Sequence, residues 1–299
     1  MTRFLFADWD DPDAPALVDQ GGLAWIKLAQ DTDSYAFHLT GGTGSWELSY
    51  EGGVVTSDAL ETAERVVMRR WRSSPPAPII QSSASDKMTR EFIERQWEAT
   101  LLAALQMAYL SRPDIWSRSP LHQDFKVLSI QLIQNLVLVP AFEVADLPRG
   151  DHRALVAKSI HVDQSFGSGR VSTLPVDLAD LATSQPSPMV FQQRIQATEE
   201  WRLAYSYGRV GIVQQFFPTG GVVDRRFLPP ESRLSHVCDQ TADEARRVSK
   251  ALGLNMFTAD ILIDTSRARY WCDINPDGLF GVADTPDYPL QTALIEGVR

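Results

Sequence analysis

The chain has 299 residues, 44% of them hydrophobic and 22% charged, a composition that excludes predominant disorder and allows a sizeable core in two or three subdomains. A formal net charge of -10 argues against nucleic acid as a partner, and no apolar run approaches the ~20 residues of a membrane span. Only Cys238 and Cys272 occur, too few for a disulfide framework or a Cys-rich zinc site, and the acidic start MTRFLFADWDDPDAP does not read as a signal peptide; a cytoplasmic location is expected.

MTRFLFADW reads as a short buried strand, and DDPDAPALVDQGGLAWIKL as a loop leading into a helix. YAFHLTGGTGSWELSYEGGVVT alternates apolar and polar residues around a Gly-rich turn, a hairpin pattern, and RVVMRRW is a further strand. After the Pro/Ser-rich loop SSPPAPIIQSSASD comes a long helix through TREFIERQWEATLLAALQMAYL, with Phe92, Trp97, Leu101, Leu102 and Leu105 at helical spacing. SRPDIWSRSPLHQDF marks a boundary before the helix KVLSIQLIQNL, which ends near Asn135 and leads into VLVPAFEV, a strand interrupted by Pro140. ALVAKSIHV is a strand, FGSGRVSTLPV a Gly/Ser loop and strand, LADLATS a short helix, and PMVFQQRI a strand again. From WRLAYSYGRVGIVQQFF to FTADILIDTSRARYWCDIN the tail reads as strands around the helix TADEARRVSKALGL, with a hairpin at DTSRAR.

Several charged residues sit where packing alone does not want them. Lys158 lies inside an apolar strand, where it either guards an edge or meets an anion. Lys126 opens a helix, where the dipole disfavours a cation unless something negative is bound nearby. A phosphate chain would satisfy both lysines. FGSGR reads first as a mobile turn and second as a phosphate cover, through Gly167, Ser168 and Gly169. Arg202 in EEWRLAY is a candidate anion clamp or an exposed strand arginine. In CDINPDG, Asp273 and Asn275 stand one residue apart, so an extended strand points both to one face, and a hairpin at DTSRAR would bring Asp260 beside Asp273. Asn-Pro-Asp-Gly is also strong turn chemistry. Three converging oxygen donors would suit Mg2+ bound together with nucleotide phosphates. The five histidines form no metal spacing, and no nucleophile-elbow motif supports Ser/His/Asp catalysis.

The collinear set of Lys126, Lys158, FGSGR, FQQRIQATEEWRL, Asp260 and YWCDINPDGLFG resembles the ATP-grasp superfamily. More narrowly it resembles the microviridin-type or graspetide ligases, which install macrolactone or macrolactam links in ribosomal precursor peptides. The resemblance covers nearly the whole chain and implies an α/β ATP-grasp fold of three subdomains, with nucleotide bound between two α+β halves. The implied divisions are an N-terminal, peptide-facing domain over 1–115, a central subdomain with the lysines over 116–188, and a C-terminal subdomain with the metal site over 189–299. Lys126 and Lys158 would then contact ATP phosphates, and Gln192, Gln193, Arg194 and Ile195 would offer hinge backbone to the adenine. Glu200 would lie near the ribose or metal, Arg202 would orient the acyl phosphate, and Asp260, Asp273 and Asn275 would hold Mg2+. Gln193 stands where the family usually has glutamate, Glu200 where it has aspartate, and Asp273 where it has glutamate. A precursor peptide, leader plus core, is the implied partner, and a homodimer the implied assembly. The alternatives are an ATP-grasp ligase that adds an amino acid to a small molecule or a protein C-terminus, and an inactive nucleotide- or peptide-binding module.

Overall fold

The structure is a computed structural model and describes residues 2–7, 11–27, 36–40, 45–50, 52–69, 87–121, 126–145, 155–158, 173–175, 189–216, 232–235, 238–278, 280 and 289–299. The chain opens with β1 (Arg3–Ala7), α1 (Ala14–Asp19) and β2 (Ala24–Lys27), followed by the strands β3 (Ala36–Leu39), β4 (Trp46–Tyr50) and β5 (Gly53–Thr56). A short α2 (Ser57–Glu61) leads into β6 (Arg65–Arg69), and the long α3 spans Lys87–Ser111. β1 pairs in parallel with β2 on one side and β6 on the other, while β3, β4 and β5 form the expected hairpin extended by one strand. One expectation fails here. AWIK is a strand rather than part of a helix, because α1 stops at Gln20 and Gly22 takes a positive φ of 71° that turns the chain back beside β1.

The two faces of this parallel sheet bury different things. Phe4, Phe6, Val66 and Met68 pack with Trp46, Leu48, Leu101, Leu105 and Trp116 in one core. Leu5, Ala7 and Val67 face the other way and share a second core with residues far along the chain, among them Ala204, Val213 and Leu290. Leu101 and Leu105 are buried as their spacing predicts, but Phe92 is 62% exposed.

The middle of the chain contributes α4 (Lys126–Ile133) and the antiparallel strands β7 (Phe142–Ala145), β8 (Leu155–Lys158), β9 (Thr173–Pro175) and β10 (Met189–Gln193), in the order β7-β10-β8-β9. The Pro/Ser-rich stretch 73–86, the FGSGR loop and the LADLATS helix lie outside the described residues. The last third holds β11 (Ala197–Ser206), β12 (Arg209–Phe216), β13 (Ser232–Ser235), α5 (Asp239–Leu252), β14 (Met256–Asp264), β15 (Arg269–Asn275) and α6 (Pro289–Val298). Its five strands run β13-β12-β11-β14-β15, all antiparallel. Trp201, Leu203, Phe257, Ile261 and Trp271 pack against Ala245 and Val248 of α5 and Ile133 of α4. α6, which the sequence reading did not anticipate, covers one end of the opposite face through Leu290, Ala293 and Leu294. Among the described residues no helix is long and apolar enough to cross a membrane.

A buried cluster of charges joins the first and last thirds. Arg69, fully buried at the end of β6, is paired with Asp11 at 3.2 Å and with Asp13 at 2.6 Å. Its guanidinium also donates to the carbonyl of Gly278 at 3.1 and 3.2 Å, and Asp13 accepts the backbone N–H of Phe280 at 3.1 Å. Removing the cation strands two carboxylates out of water. Arg69→Met should therefore cost about 3–5 kcal/mol in unfolding free energy, read from the urea midpoint at constant slope, whereas a surface arginine would cost well under 1 kcal/mol.

Candidate functional site

The site is built on the sheet face that α6 leaves open. Along β14, Phe257, Ala259, Ile261 and Ile263 are buried in the core under α5, so the alternate residues Thr258, Asp260 and Leu262 point to the opposite face. Antiparallel pairing sets Arg202 of β11 directly opposite Asp260 and, on the other side, Asp273 of β15 opposite the same Asp260. Asn275 pairs with Thr258 one step on, and Glu200 lies two residues along β11 from Arg202. The convergence expected of the two aspartates and the asparagine is therefore present in the register.

A β-bulge makes this possible. Asp260 pairs with Asp273 but Ile261 pairs with Trp271, which leaves Cys272 as an extra residue in β15. In a regular strand Trp271 and Asp273, two residues apart, would share a face. With the bulge, Trp271 goes into the core beneath α5 while Asp273 keeps company with Asp260. Sequence spacing alone placed Asp273 and Asn275 together and said nothing of how a buried tryptophan could stand two residues earlier.

Arg202 and Asp260 are in ionic contact at 3.2 Å and both are partly exposed. The Nε of Arg202 is buried without a hydrogen-bond partner among the described residues, and the Oδ1 of Asp260, also buried, is the oxygen in ionic contact with Arg202 Nη1. A guanidinium N–H left over beside a carboxylate is an arrangement that accommodates an anion at the first and a cation at the second. Among the described residues, no three His, Cys, Asp or Glu side chains gather into a metal cage; two carboxylates and one carboxamide are the protein donors on offer.

The Asn-Pro-Asp-Gly segment is a turn as well as a strand end. The side-chain oxygen of Asn275 accepts the N–H of Asp277 at 2.8 Å, and the N–H of Gly278 donates to the carbonyl of Asn275 at 3.2 Å. A Cβ at Gly278 would collide with the side chain of Thr258, so only glycine lets the turn close down on β14. Two arginines hold this turn: Arg69 at the Gly278 carbonyl and Arg118 at Asp277, 2.9 Å apart. Neither arginine was singled out by sequence reasoning. The available signal was an arginine closing an apolar strand, RVVMR, with Asp11 and Asp13 free to neutralise it.

The other expected residues fall as follows. Lys126 is the first residue of α4 and Lys158 the last of β8, where it pairs with Val190 and Thr173. Gln192, almost wholly buried, stands two residues from Val190 on β10, and its amide nitrogen has no partner among the described residues. Gln193 ends β10 and donates its N–H to the Ala141 carbonyl at 2.7 Å. Arg194, Ile195 and Gln196 then connect β10 to β11. Gly167, Ser168 and Gly169 lie outside the described residues.

No family model matches the chain, and no curated protein matches it. Solved structures do. The macrocyclase MdnC from Microcystis aeruginosa MRC, bound with the precursor peptide MdnA, superposes with a TM-score of 0.73 at 18% identity, covering 99% of this chain and 98% of that one. The Chryseobacterium gregarium RiPP-associated ATP-grasp ligase, in complex with ADP and a leader and core peptide, gives 0.75 at 16% identity over 99% and 96%. The ATP-grasp ligase PsnB, complexed with a phosphomimetic variant of a minimal precursor, Mg and ADP, gives 0.68 at 16% identity over 99% and 98%. At these identities the likeness is one of fold, and from end to end the chain has the fold of the ATP-grasp ligases.

Proposed function

We propose that this protein is an ATP- and Mg2+-dependent carboxylate ligase that forms ester or amide cross-links within a ribosomally made precursor peptide. The observation that carries the reading is the row Arg202, Asp260 and Asp273 on three adjacent strands, with Asn275 one step further and a buried Arg202 Nε that has no hydrogen-bond partner among the described residues. The donor set fits magnesium, a hard cation that binds through one or two carboxylates and completes its shell with water and phosphate oxygens. Asp260, Asp273 and Asn275 would hold it, and it would neutralise the charge of the phosphate chain.

The remaining roles belong to the chain's own side chains. Lys126 and Lys158 would draw in the triphosphate, and the hinge from Gln192 to Ile195 would receive the adenine, with Glu200 near the ribose. The γ-phosphoryl passes from ATP to a carboxylate of the peptide, leaving ADP and an acyl phosphate. A hydroxyl or amine then attacks the acyl carbon, phosphate leaves and a proton is lost. Arg202, within reach of Asp260 yet short of partners at Nε, is suited to holding the acyl phosphate through that attack. Such chemistry needs positioning and charge neutralisation rather than a protein nucleophile. MdnC and the Chryseobacterium ligase were solved with peptides in place, which supports a peptide partner. The proposal extends to three units divided near residues 115 and 188, to a homodimer and to a cytoplasmic location, the last in keeping with a sequence that holds only two cysteines. Purified protein incubated with ATP, Mg2+ and acidic core peptides should release ADP, and the peptide should lose one water mass per link.

Two substitutions test the assignments. Asp273→Asn should abolish Mg2+-dependent ADP release with circular dichroism unchanged, because a carboxamide does not supply the carboxylate charge that the cation needs; Asp273→Glu should keep substantial turnover. If the segment were only a turn, Asp273→Asn would leave turnover unchanged. Lys158→Ala should weaken ATP binding at least tenfold by calorimetry, about 1.4 kcal/mol, with circular dichroism unchanged.

A further inference from the structure

We infer that Arg118 is a positioning residue for the metal-bearing end of β15, acting through Asp277 on Asn275. The inference rests on the ligase reading above and adds a residue that touches neither nucleotide nor metal in it. Arg118 belongs to a segment stitched down on both sides. The N–H of Ser117 donates to the Val66 carbonyl at 2.9 Å, its hydroxyl accepts the Met68 N–H at 2.8 Å, and its carbonyl accepts the Asn255 N–H at 2.7 Å. Asn255 also reaches back with its side chain to the Trp116 carbonyl at 2.8 Å. The segment is therefore fixed to the end of β6 and to the start of β14 at once, and the guanidinium it carries is about nine-tenths buried.

From that anchored position Arg118 meets Asp277 at 2.9 Å, in a pair largely shielded from water, where an ion pair is screened less than on the surface. The backbone N–H of the same Asp277 is the donor that occupies one lone pair of the Asn275 side-chain oxygen. A carboxamide oxygen has two lone pairs, so the bond from Asp277 leaves one free and fixes where it points. Register places Asn275 and Asp273 on the face of Asp260. The chain of constraint runs from Arg118 to the Asp277 carboxylate, through the Asp277 N–H to the Asn275 oxygen, and from there to the cation site. This is how groups outside a coordination shell orient the groups within it.

The test uses Mn2+ as the probe, titrated into the full chain in the presence of ADP, with free Mn2+ followed by electron paramagnetic resonance. Arg118→Gln and Asp277→Ala should each weaken Mn2+ binding about tenfold. The double variant should be no weaker than either single one, because both act along one route. ADP affinity measured without metal should stay close to wild type, while the unfolding midpoint of the apo protein falls as the shielded pair is broken. Unchanged Mn2+ affinity with a lowered midpoint would make the pair merely structural and overturn the inference. An equal fall in metal-free ADP affinity would overturn it differently, by putting Arg118 on the nucleotide. If the wild-type protein itself fails to take up Mn2+ with ADP, the ligase reading falls and this inference falls with it.

Discussion

Arg69 carries its charge at a place with no solvent, and it is tolerated there because Asp11 and Asp13 are just as deeply buried and within ionic contact. A buried pair of this kind is weak evidence of extra stability, since desolvating the charges offsets much of their attraction. Its structural effect is directional. The fork of the guanidinium has donors left after the carboxylates are met, and they go to a single carbonyl, that of Gly278. Three stretches separated by dozens or hundreds of residues are thereby required to meet at one point, and the turn that ends β15 can occupy only one position relative to the first sheet.

The five-stranded sheet divides its two faces between packing and chemistry. Under α5 its residues are large and apolar; on the other face α6 covers one end, and the polar row begins where that cover stops. Side chains set on neighbouring strands of a packed sheet are held in place by the ladder itself, which gives closer control than loops of the same composition could. The ladder also explains why Arg202 and Asp260 sit in ionic contact: they are paired across β11 and β14, and their backbones fix the separation.

Much of this was legible in the sequence. The period-two alternation of the last strands, the turn chemistry at DTSRAR and the spacing of Asp273 and Asn275 are local features, and local features survive into the fold. Lys126 at a helix start and Lys158 inside an apolar strand stood out because they conflict with dipole and burial; a helix does begin at Lys126, and Lys158 is the last residue of its strand rather than an interior one. What could not be read were pairings over long separations. Arg69 and Gly278 are 209 residues apart, and no periodicity links them. AWIK was misjudged for a related reason: a four-residue apolar run is helix or strand according to what it pairs with, and its partner, β1, is supplied by the tertiary fold. Phe92 followed the helical period, yet it is exposed where Leu101 and Leu105, on the same period, are buried.

The bulge at Cys272 has an evolutionary reading. β15 carries two alternating frames, one for the core and one for the site, and the extra residue is the point where the strand switches between them. Removing one residue there would restore a regular ladder and put either Trp271 among the polar groups or Asp273 among the apolar ones. Insertions and deletions near the end of this strand cannot be absorbed, since each would exchange the identities of the two faces. Length, as much as the identities of Trp271, Asp273 and Asn275, should be the inherited quantity in the segment between Tyr270 and Asn275.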